Sequence, residues 1–430
     1  MGNDQIRSVQ GTEDVLPGQW GHWRRLYGTA RRLFELYGYG EVHTPVIEDV
    51  RLFVKGTGDT TDIVQKEMYA VYAGGEDKGI ALRPEGTPPV IRSYLERGLD
   101  KTDPFQKYYY IGPMFRHERP QKGRLRQFHH AGVEAVGGGS PLLDVETIAL
   151  ANDVFRQVGL EQFTTSINSI GCSDCRTAFR DELQGILRSR VEELCDDCRE
   201  RLERNLLRIY DCKNEGCQGV VGELPTMVEF LCRDCQEHYD GVRSGLDRIG
   251  LDYREEPGLV RGLDYYTRTV YEIKHPALGA RDTICGGGRY DDLVELLGGP
   301  SLPCVGFGIG VEPTLIAMEE ELGEPADSAP RTDLYVVCFE EEARAECFQL
   351  VQALRAAGVA AEMDYEDRSA SSQMRVADRL DAPLCFLIGG RELESGEVLI
   401  KRMSDGEQWS VPWGDAVGAV EEELGFAEGD

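Results

Sequence analysis

The sequence predicts an α+β fold on a mainly antiparallel sheet, followed by a separate α/β domain, and three observations carry the prediction. Strand-like and helix-like runs succeed one another with little βαβ regularity. Eight of the thirteen cysteines crowd between Cys172 and Cys235 and interrupt that sheet. Beyond the stretch Glu319 to Thr332, with Pro325, Ala326, Asp327, Ser328 and Pro330, the pattern turns to strand–helix alternation. These breaks predict a core in two parts, 1–170 and 241–322, a Cys-rich insertion over 171–240, a linker over 323–332 and a C-terminal domain over 333–430.

Each element has a local reason. Gly18 to Tyr37 has helical amphipathic spacing, and Gly40 to Glu48 reads as a strand carrying Pro45. Lys66 to Ala73 and Gly79 to Arg83 read as short strands before the turn-forming Arg83-Pro84-Glu85-Gly86. Tyr108 to Met114 and the alternating run after Gln127 form a hairpin with a long loop. After the Gly137-Gly138-Gly139 stop come a helix, Leu142 to Gln157, and a strand, Phe163 to Ile170. Strands at Leu259 to Lys274, Thr283 to Gly288 and Val305 to Gly310 follow the insertion, then a helix. In the last domain, strands at Leu334 to Phe339, Ala360 to Tyr365 and Leu384 to Gly389 alternate with helices at Glu341 to Ala357 and Ser369 to Leu380; a hairpin and a terminal helix close it.

Within the hairpin loop, Arg116, Arg119, Lys122, Arg124 and Arg126 stand close together, broken by Pro120 and Gly123. A guanidinium offers phosphate two parallel hydrogen bonds and keeps its charge at any relevant pH, so such a loop suits phosphate; taken alone it also fits a solvated charge run. The net charge is −29, from 47 Lys+Arg against 76 Asp+Glu, which is unusual for a nucleic-acid ligand. A strongly hydrated acidic surface suits a salt-rich solvent, where self-repulsion is screened, so the charge speaks of habitat, of a halophile-like form, more than of ligand. No apolar run approaches a membrane span and Met1 to Val9 lacks a signal-peptide core, so the expected location is cytoplasmic.

The clustered cysteines form Cys172-x-x-Cys175, Cys195-x-x-Cys198, the pair Cys212 and Cys217, and Cys232-x-x-Cys235. In a reducing compartment this spacing favours zinc over disulfides, either as two four-thiolate sites or as one site with spare thiols. Cys285, Cys304, Cys338, Cys347 and Cys385 lie in apolar patterns and read as core.

Taken together, the basic hairpin, Leu259-Val-Arg-Gly-Leu-Asp-Tyr-Tyr-Thr-Arg268 and Gly286-Gly-Gly-Arg-Tyr-Asp291 resemble the histidyl-tRNA synthetase family of class II aminoacyl-tRNA synthetases. The likeness extends to Gln10-Gly-Thr-Glu-Asp14, to the strand with Thr44-Pro45 and to the C-terminal domain, now expected to bind the anticodon. It implies an aminoacyl-tRNA ligase: ATP, with Mg2+, activates L-histidine to histidyl-adenylate, and the acyl group passes to the 3′ end of histidine tRNA. In this comparison Arg116 and Arg261 flank the α-phosphate, Glu118 and Arg124 serve adenine and the terminal phosphates, and Glu85, Thr87 and His130 face the substrate ammonium. Glu134 and Tyr266 match the pair that selects a neutral imidazole, which has one donor and one acceptor nitrogen. Tyr265 reads as pocket wall or as plain core, and Arg119 and Gln121 match the loop that reads the tRNA acceptor end.

Two positions depart from the family pattern. His130 replaces a glutamine, so that its protonation in mild acid would repel the ammonium, and Pro313 replaces an arginine that serves ATP. An inactive, histidine-binding regulatory subunit is the alternative these departures allow. The resemblance further implies a homodimer through the Thr44-Pro45 region, and it is compatible with the zinc expected from the cysteine spacing, with Cys195, Cys198, Cys212 and Cys217 as one candidate group and Cys172, Cys175, Cys232 and Cys235 as the other.

Overall fold

The computed structural model describes residues 6–58, 61, 63–73, 75–204, 206–210, 212, 214–279, 282–324 and 331–425. It divides into two compact units, Met1–Ser328 and Ala329–Asp430. Residues 325–330 of the expected linker lie outside the described residues, and the helix Val311–Leu322 ends just before it, so that Glu319 to Leu322 of the Pro-containing stretch are helical.

The first unit is built on an eight-stranded sheet in the order Gly40–Glu41, Gln106–Phe115, Gln127–Val136, Cys304–Gly310, Thr283–Arg289, Thr267–Lys274, Thr164–Ser169, Arg254–Glu255. The six central strands are mutually antiparallel, and only the two short edge strands pair in parallel. Side chains alternate between the faces of a strand, so each strand serves two environments. One face carries Tyr109, Val133, Tyr271, Ile273, Phe307 and Ile309 into the main core, where the helices Trp20–Leu36, Pro141–Gln157, Val311–Leu322 and Arg233–Arg248 bury their apolar stripes. The opposite face presents Tyr110, Glu134 and Glu272 and holds the site.

Several elements differ from the sequence prediction. Instead of one strand from Gly40 to Glu48 there are two, Gly40–Glu41 in the main sheet and Ile47–Asp49 in a three-stranded sheet with Ala70–Ala73 and Glu76–Leu82. Lys66 falls in a short π-helical turn, Ile63–Glu67, not in a strand. Residues 259–266 are irregular, and the strand begins at Thr267. The helix Thr87–Glu96 was not predicted; Pro88 and Pro89 sit in its first turn, where their missing N–H groups are not needed.

The insertion is helical, with Ser173–Ser189, Asp196–Arg204, Glu215–Val221 and Arg233–Arg248, and it buries Phe179, Leu183, Leu187, Ile209 and Val220 around its own thiols. The second unit has a five-stranded sheet ordered Ala361–Met363, Leu334–Cys338, Leu384–Ile388, Glu397–Arg402, Gln408–Pro412. Its first three strands are parallel and the last two close as an antiparallel hairpin.

Candidate active site

A row of residues crosses five strands on the open face of the large sheet. Tyr110 pairs with Gly132, Gly132 with Gly308, Gly308 with Gly286, and Gly286 with Glu272. Three successive glycines thus pave a floor over which a flat ligand can lie against backbone. Above it opens a cavity of about 490 Å³ whose walls include Glu85, Thr87, Arg116, Glu118, Arg124, His130, Arg261, Tyr265 and Tyr266. Segments as distant as Glu85 and Tyr266 therefore meet at one place. Glu134 stands beside the floor, in register with Gly306.

Two buried carboxylates organise the inner end. Glu134 accepts hydrogen bonds from Thr87 Oγ1 (2.6 Å), Tyr110 (3.2 Å) and Tyr290. Burial nevertheless pushes its pKa up to about 8, because these three hydroxyls and the neighbouring Glu85 do not replace the lost water. Glu85 is likewise raised by burial; it accepts from Thr57 Oγ1 (2.5 Å) and from Tyr265 (2.8 Å). Tyr265 is thus both buried core and a hydrogen-bond donor to the site. Tyr110, Tyr290 and Thr57 were missed from the sequence. Gly132 opposite Tyr110 was the available signal, since a Cβ there would come within 2.6 Å of the Tyr110 ring.

The cations line the same cavity. Arg261 is ion-paired with Glu272; burial opposes its charge, and Glu272 outweighs burial to keep it protonated. Arg116 donates to Pro84 O (2.9 Å) and lies over the Phe128 ring at 5.3 Å, so its guanidinium is held from two sides. Arg124 pairs with Glu118 at 2.6 Å, while Arg119 and Gln121 are exposed on the hairpin loop. Pro313 lines the same cavity, and the hairpin's Gly123, at φ +74°, rests near Ile316 and Leu278 beside it.

His130 borders the cavity, but burial, followed by the charges of Arg116, His129, Arg83 and Arg261, pushes its pKa down to about 3. The ring is neutral in mild acid, so the acid loss expected from its protonation does not arise.

All eight clustered thiols are free and fall into two groups, Cys172, Cys175, Cys232, Cys235 and Cys195, Cys198, Cys212, Cys217, with the sulfurs of each group within 4.8 Å of one another. The separations 3.5 Å (Cys172–Cys175), 4.0 Å (Cys172–Cys232) and 3.8 Å (Cys195–Cys212) bracket the edge of a zinc–thiolate tetrahedron, about 3.8 Å for a Zn–S bond of about 2.3 Å. Backbone N–H groups of Cys232 and Cys195 point at Cys175 Sγ (3.0 Å) and Cys217 Sγ (3.2 Å), as suits thiolates.

An antiparallel sheet with two arginines and a hydroxyl-lined acidic pocket on its open face is the framework of a class II aminoacyl-tRNA synthetase. Comparison with known proteins gives the particular family. The family profile "Histidyl-tRNA synthetase" matches residues 11–314, and "Anticodon binding domain" matches 333–423. The histidine–tRNA ligases of Halothermothrix orenii and Moorella thermoacetica are each 46% identical, over 94% of this chain and 96% and 95% of theirs. The crystal structure of apo S. aureus histidyl-tRNA synthetase superposes with a TM-score of 0.80 at 34% identity, covering 97% of this chain and all of that one. The chain belongs to the histidyl-tRNA synthetase family and is an enzyme of the aminoacyl-tRNA ligase class. Nothing in these relationships supports the regulatory alternative.

Proposed function

We propose that the chain activates L-histidine with MgATP and transfers it to histidine tRNA. The observation that carries this reading is the meeting, in one cavity, of the buried carboxylate Glu85 with Arg116 and Arg261, with the buried Glu134 beside its glycine floor. The histidine carboxylate attacks the α-phosphorus; a new P–O bond forms, the bond to the β-phosphate bridge breaks, and pyrophosphate leaves. Charge grows on the non-bridging oxygens of that phosphorus, and two fixed guanidinium groups stabilise it without rearranging. A terminal ribose hydroxyl then attacks the acyl carbon and AMP departs.

Glu134 and Tyr266 would meet the two imidazole nitrogens, while Glu85, Thr87 and neutral His130 take the ammonium and Tyr265 fixes Glu85 through its hydroxyl. A pocket of this kind rejects amino acids that leave its buried polar groups unpaired. Arg124 with Glu118 would hold ATP at the hairpin, supplying the cation that Pro313 lacks. Glu118 and Glu272 already pair with arginines, so neither is assigned to magnesium. On the exposed loop, Arg119 and Gln121 would meet the tRNA acceptor end, and the second unit the anticodon. Arg402 is no free cation for that task, being held by Asp405, Glu407 and Glu423. Zinc would occupy the two thiol groups and supply a fixed cross-link. A homodimer through the Thr44-Pro45 region and a cytoplasmic location complete the reading; among the described residues no helix is long and apolar enough to cross a membrane.

The test is histidine-dependent pyrophosphate exchange together with tRNA charging. Wild type performs both and Arg261→Ala loses about 10² to 10³ in kcat. A wild type that binds histidine but exchanges no pyrophosphate would overturn the assignment.

A further inference from the structure

The pocket depends on an unusual piece of backbone. Arg268 has φ +49°, in the left-handed region that a side chain rarely adopts, and strand pairing slips between Gly288 and Arg289 opposite it. This bulge turns the chain so that Tyr265 and Tyr266, just before it, reach the cavity. A sparsely populated conformation persists only where its surroundings over-determine it.

Those surroundings come from the neck of the cysteine insertion. Arg268 N donates to Gly171 O (2.9 Å), and Ile170 N donates back to Arg268 O (2.7 Å). Arg176 Nη1 donates to Tyr266 O (2.7 Å). On the other side, Arg268 Nη1 donates to His238 Nδ1 (3.5 Å), whose Nε2 donates to Asp144 Oδ1 (3.1 Å), the buried partner of Arg289.

The positions of these clamps in the sequence are informative. Gly171 immediately precedes Cys172, Arg176 immediately follows Cys175, and His238 lies one helical turn beyond Cys235. Gly171 is pressed against the group as well: a Cβ on it would lie 2.5 Å from Cys175 Cβ. Cys172 and Cys175 sit at the start of the helix Ser173–Ser189, and Cys232 and Cys235 at the start of Arg233–Arg248. This thiol group therefore joins the two places where the chain enters and leaves the insertion. The other group, Cys195, Cys198, Cys212 and Cys217, lies wholly inside it, and none of the clamping residues adjoins it.

We propose that zinc held by Cys172, Cys175, Cys232 and Cys235 is a positioning element of the histidine pocket, acting through Arg176 and His238 on the Arg268 bulge, whereas the second ion only folds the tip of the insertion. The proposal rests on the histidine-activating reading given above. Without the neck ion the two helices lose their common anchor, the bulge relaxes, and Tyr265 and Tyr266 leave their places.

The full-length protein, purified without chelator, tests this by elemental analysis and pyrophosphate exchange. Wild type is expected to carry one zinc for each of the two thiol groups. Cys232→Ser, at the exposed ligand, loses one zinc and raises the KM for histidine about tenfold or more, with the KM for ATP within about twofold. Cys195→Ser also loses one zinc but leaves the KM for histidine within about twofold. Arg176→Ala separates positioning from folding: it keeps both ions and still raises the KM for histidine, and Arg176→Lys recovers part of the loss. In cobalt-substituted protein, histidine shifts the thiolate charge-transfer band of wild type and of Cys195→Ser but not that of Arg176→Ala.

Zinc absent from wild type, Cys232→Ser losing its ion with an unchanged KM, or equal KM changes in the two cysteine variants would each overturn the proposal. Wild type without histidine-dependent exchange would remove the functional reading and this inference together; normal wild-type exchange with any of the other outcomes removes only the inference.

Discussion

Burial pushes the pKa of the Glu134 carboxyl up to about 8, and on the proposed reading a bound imidazole N–H and a nearby ammonium would favour its ionised form. Histidine binding at neutral pH must therefore expel a proton. The profile of kcat/KM for histidine reports the free enzyme and is expected to rise from pH 6.5 toward a plateau above about 8. Substrate imidazole, with an ordinary pKa of about 6.5, is half protonated where that range begins and about 90% neutral by pH 7.5, so the limb above about pH 7.5 belongs to the enzyme. Glu134→Gln should lose most activity and show no such limb. Stability changes in the opposite direction: the raised Glu134 pKa gives a contribution that is full in acid and lost as pH climbs through the folded value. Histidine should nonetheless raise Tm more at pH 8 than at pH 6.5, measured by differential scanning fluorimetry. At this scale the sequence was legible in location: Glu85 and Arg261, singled out by motif, line one cavity, and Glu134 lies beside its floor. It was opaque where the role depends on a neighbour across strands. Tyr110 and Tyr290 serve Glu134 only because of register, and neither tyrosine differs locally from a core residue.

Among the elements, the glycine-paved floor makes the sharpest demand. A Cβ on Gly286 would lie 2.0 Å from Arg261 Nη2, and the three nearest atoms all belong to that guanidinium. Gly286→Ala is therefore expected to displace the Arg261 side chain first. Its expected signature is a fall of about 10² in the rate of adenylate formation with Tm little changed. Gly306→Ala is different, since its Cβ would meet both Glu134 Oε2 (2.2 Å) and Val133 O (2.3 Å), so activity and Tm should fall together. Stopped-flow adenylation and calorimetry on the two variants separate these outcomes. The sequence disclosed this sheet well: strands predicted at Tyr108 to Met114, Thr283 to Gly288 and Val305 to Gly310 lie within Gln106–Phe115, Thr283–Arg289 and Cys304–Gly310. Short apolar runs bounded by turn signals and rich in aromatic or β-branched residues separate a buried strand from a buried helix. The predicted strand Leu259 to Lys274 failed in its first half, where residues 259–266 are irregular and the register slips beside Arg268 before the strand begins at Thr267.

For the molecule as a whole, the net charge of −29 sets stability against nucleic-acid affinity. Repulsion among surface carboxylates acts over a Debye length of about 10 Å in 0.1 M salt and about 3 Å in 1 M salt. Exposed ion pairs such as Arg31–Glu41 and Arg233–Glu237 also weaken in salt, but each contributes only about 0.2–1 kcal/mol, so screening of the excess charge should dominate. Tm is therefore expected to rise between 0.1 and 1 M KCl. Binding of tRNA responds in the opposite sense, because each phosphate neutralised by a cation releases counterions whose return is favoured by salt. The hairpin offers only a few arginines, two of which already serve Glu118 and the Phe128 ring, so few phosphates are engaged and the decline should be shallow. Pyrophosphate exchange, which needs no tRNA, should follow stability and hold or rise with salt. Charging should pass through a maximum and fall sooner. Parallel titration of the two activities with KCl decides the matter: coincident profiles would mean that the acidic surface affects transfer and activation alike, and that the charge balance has no separate influence on tRNA.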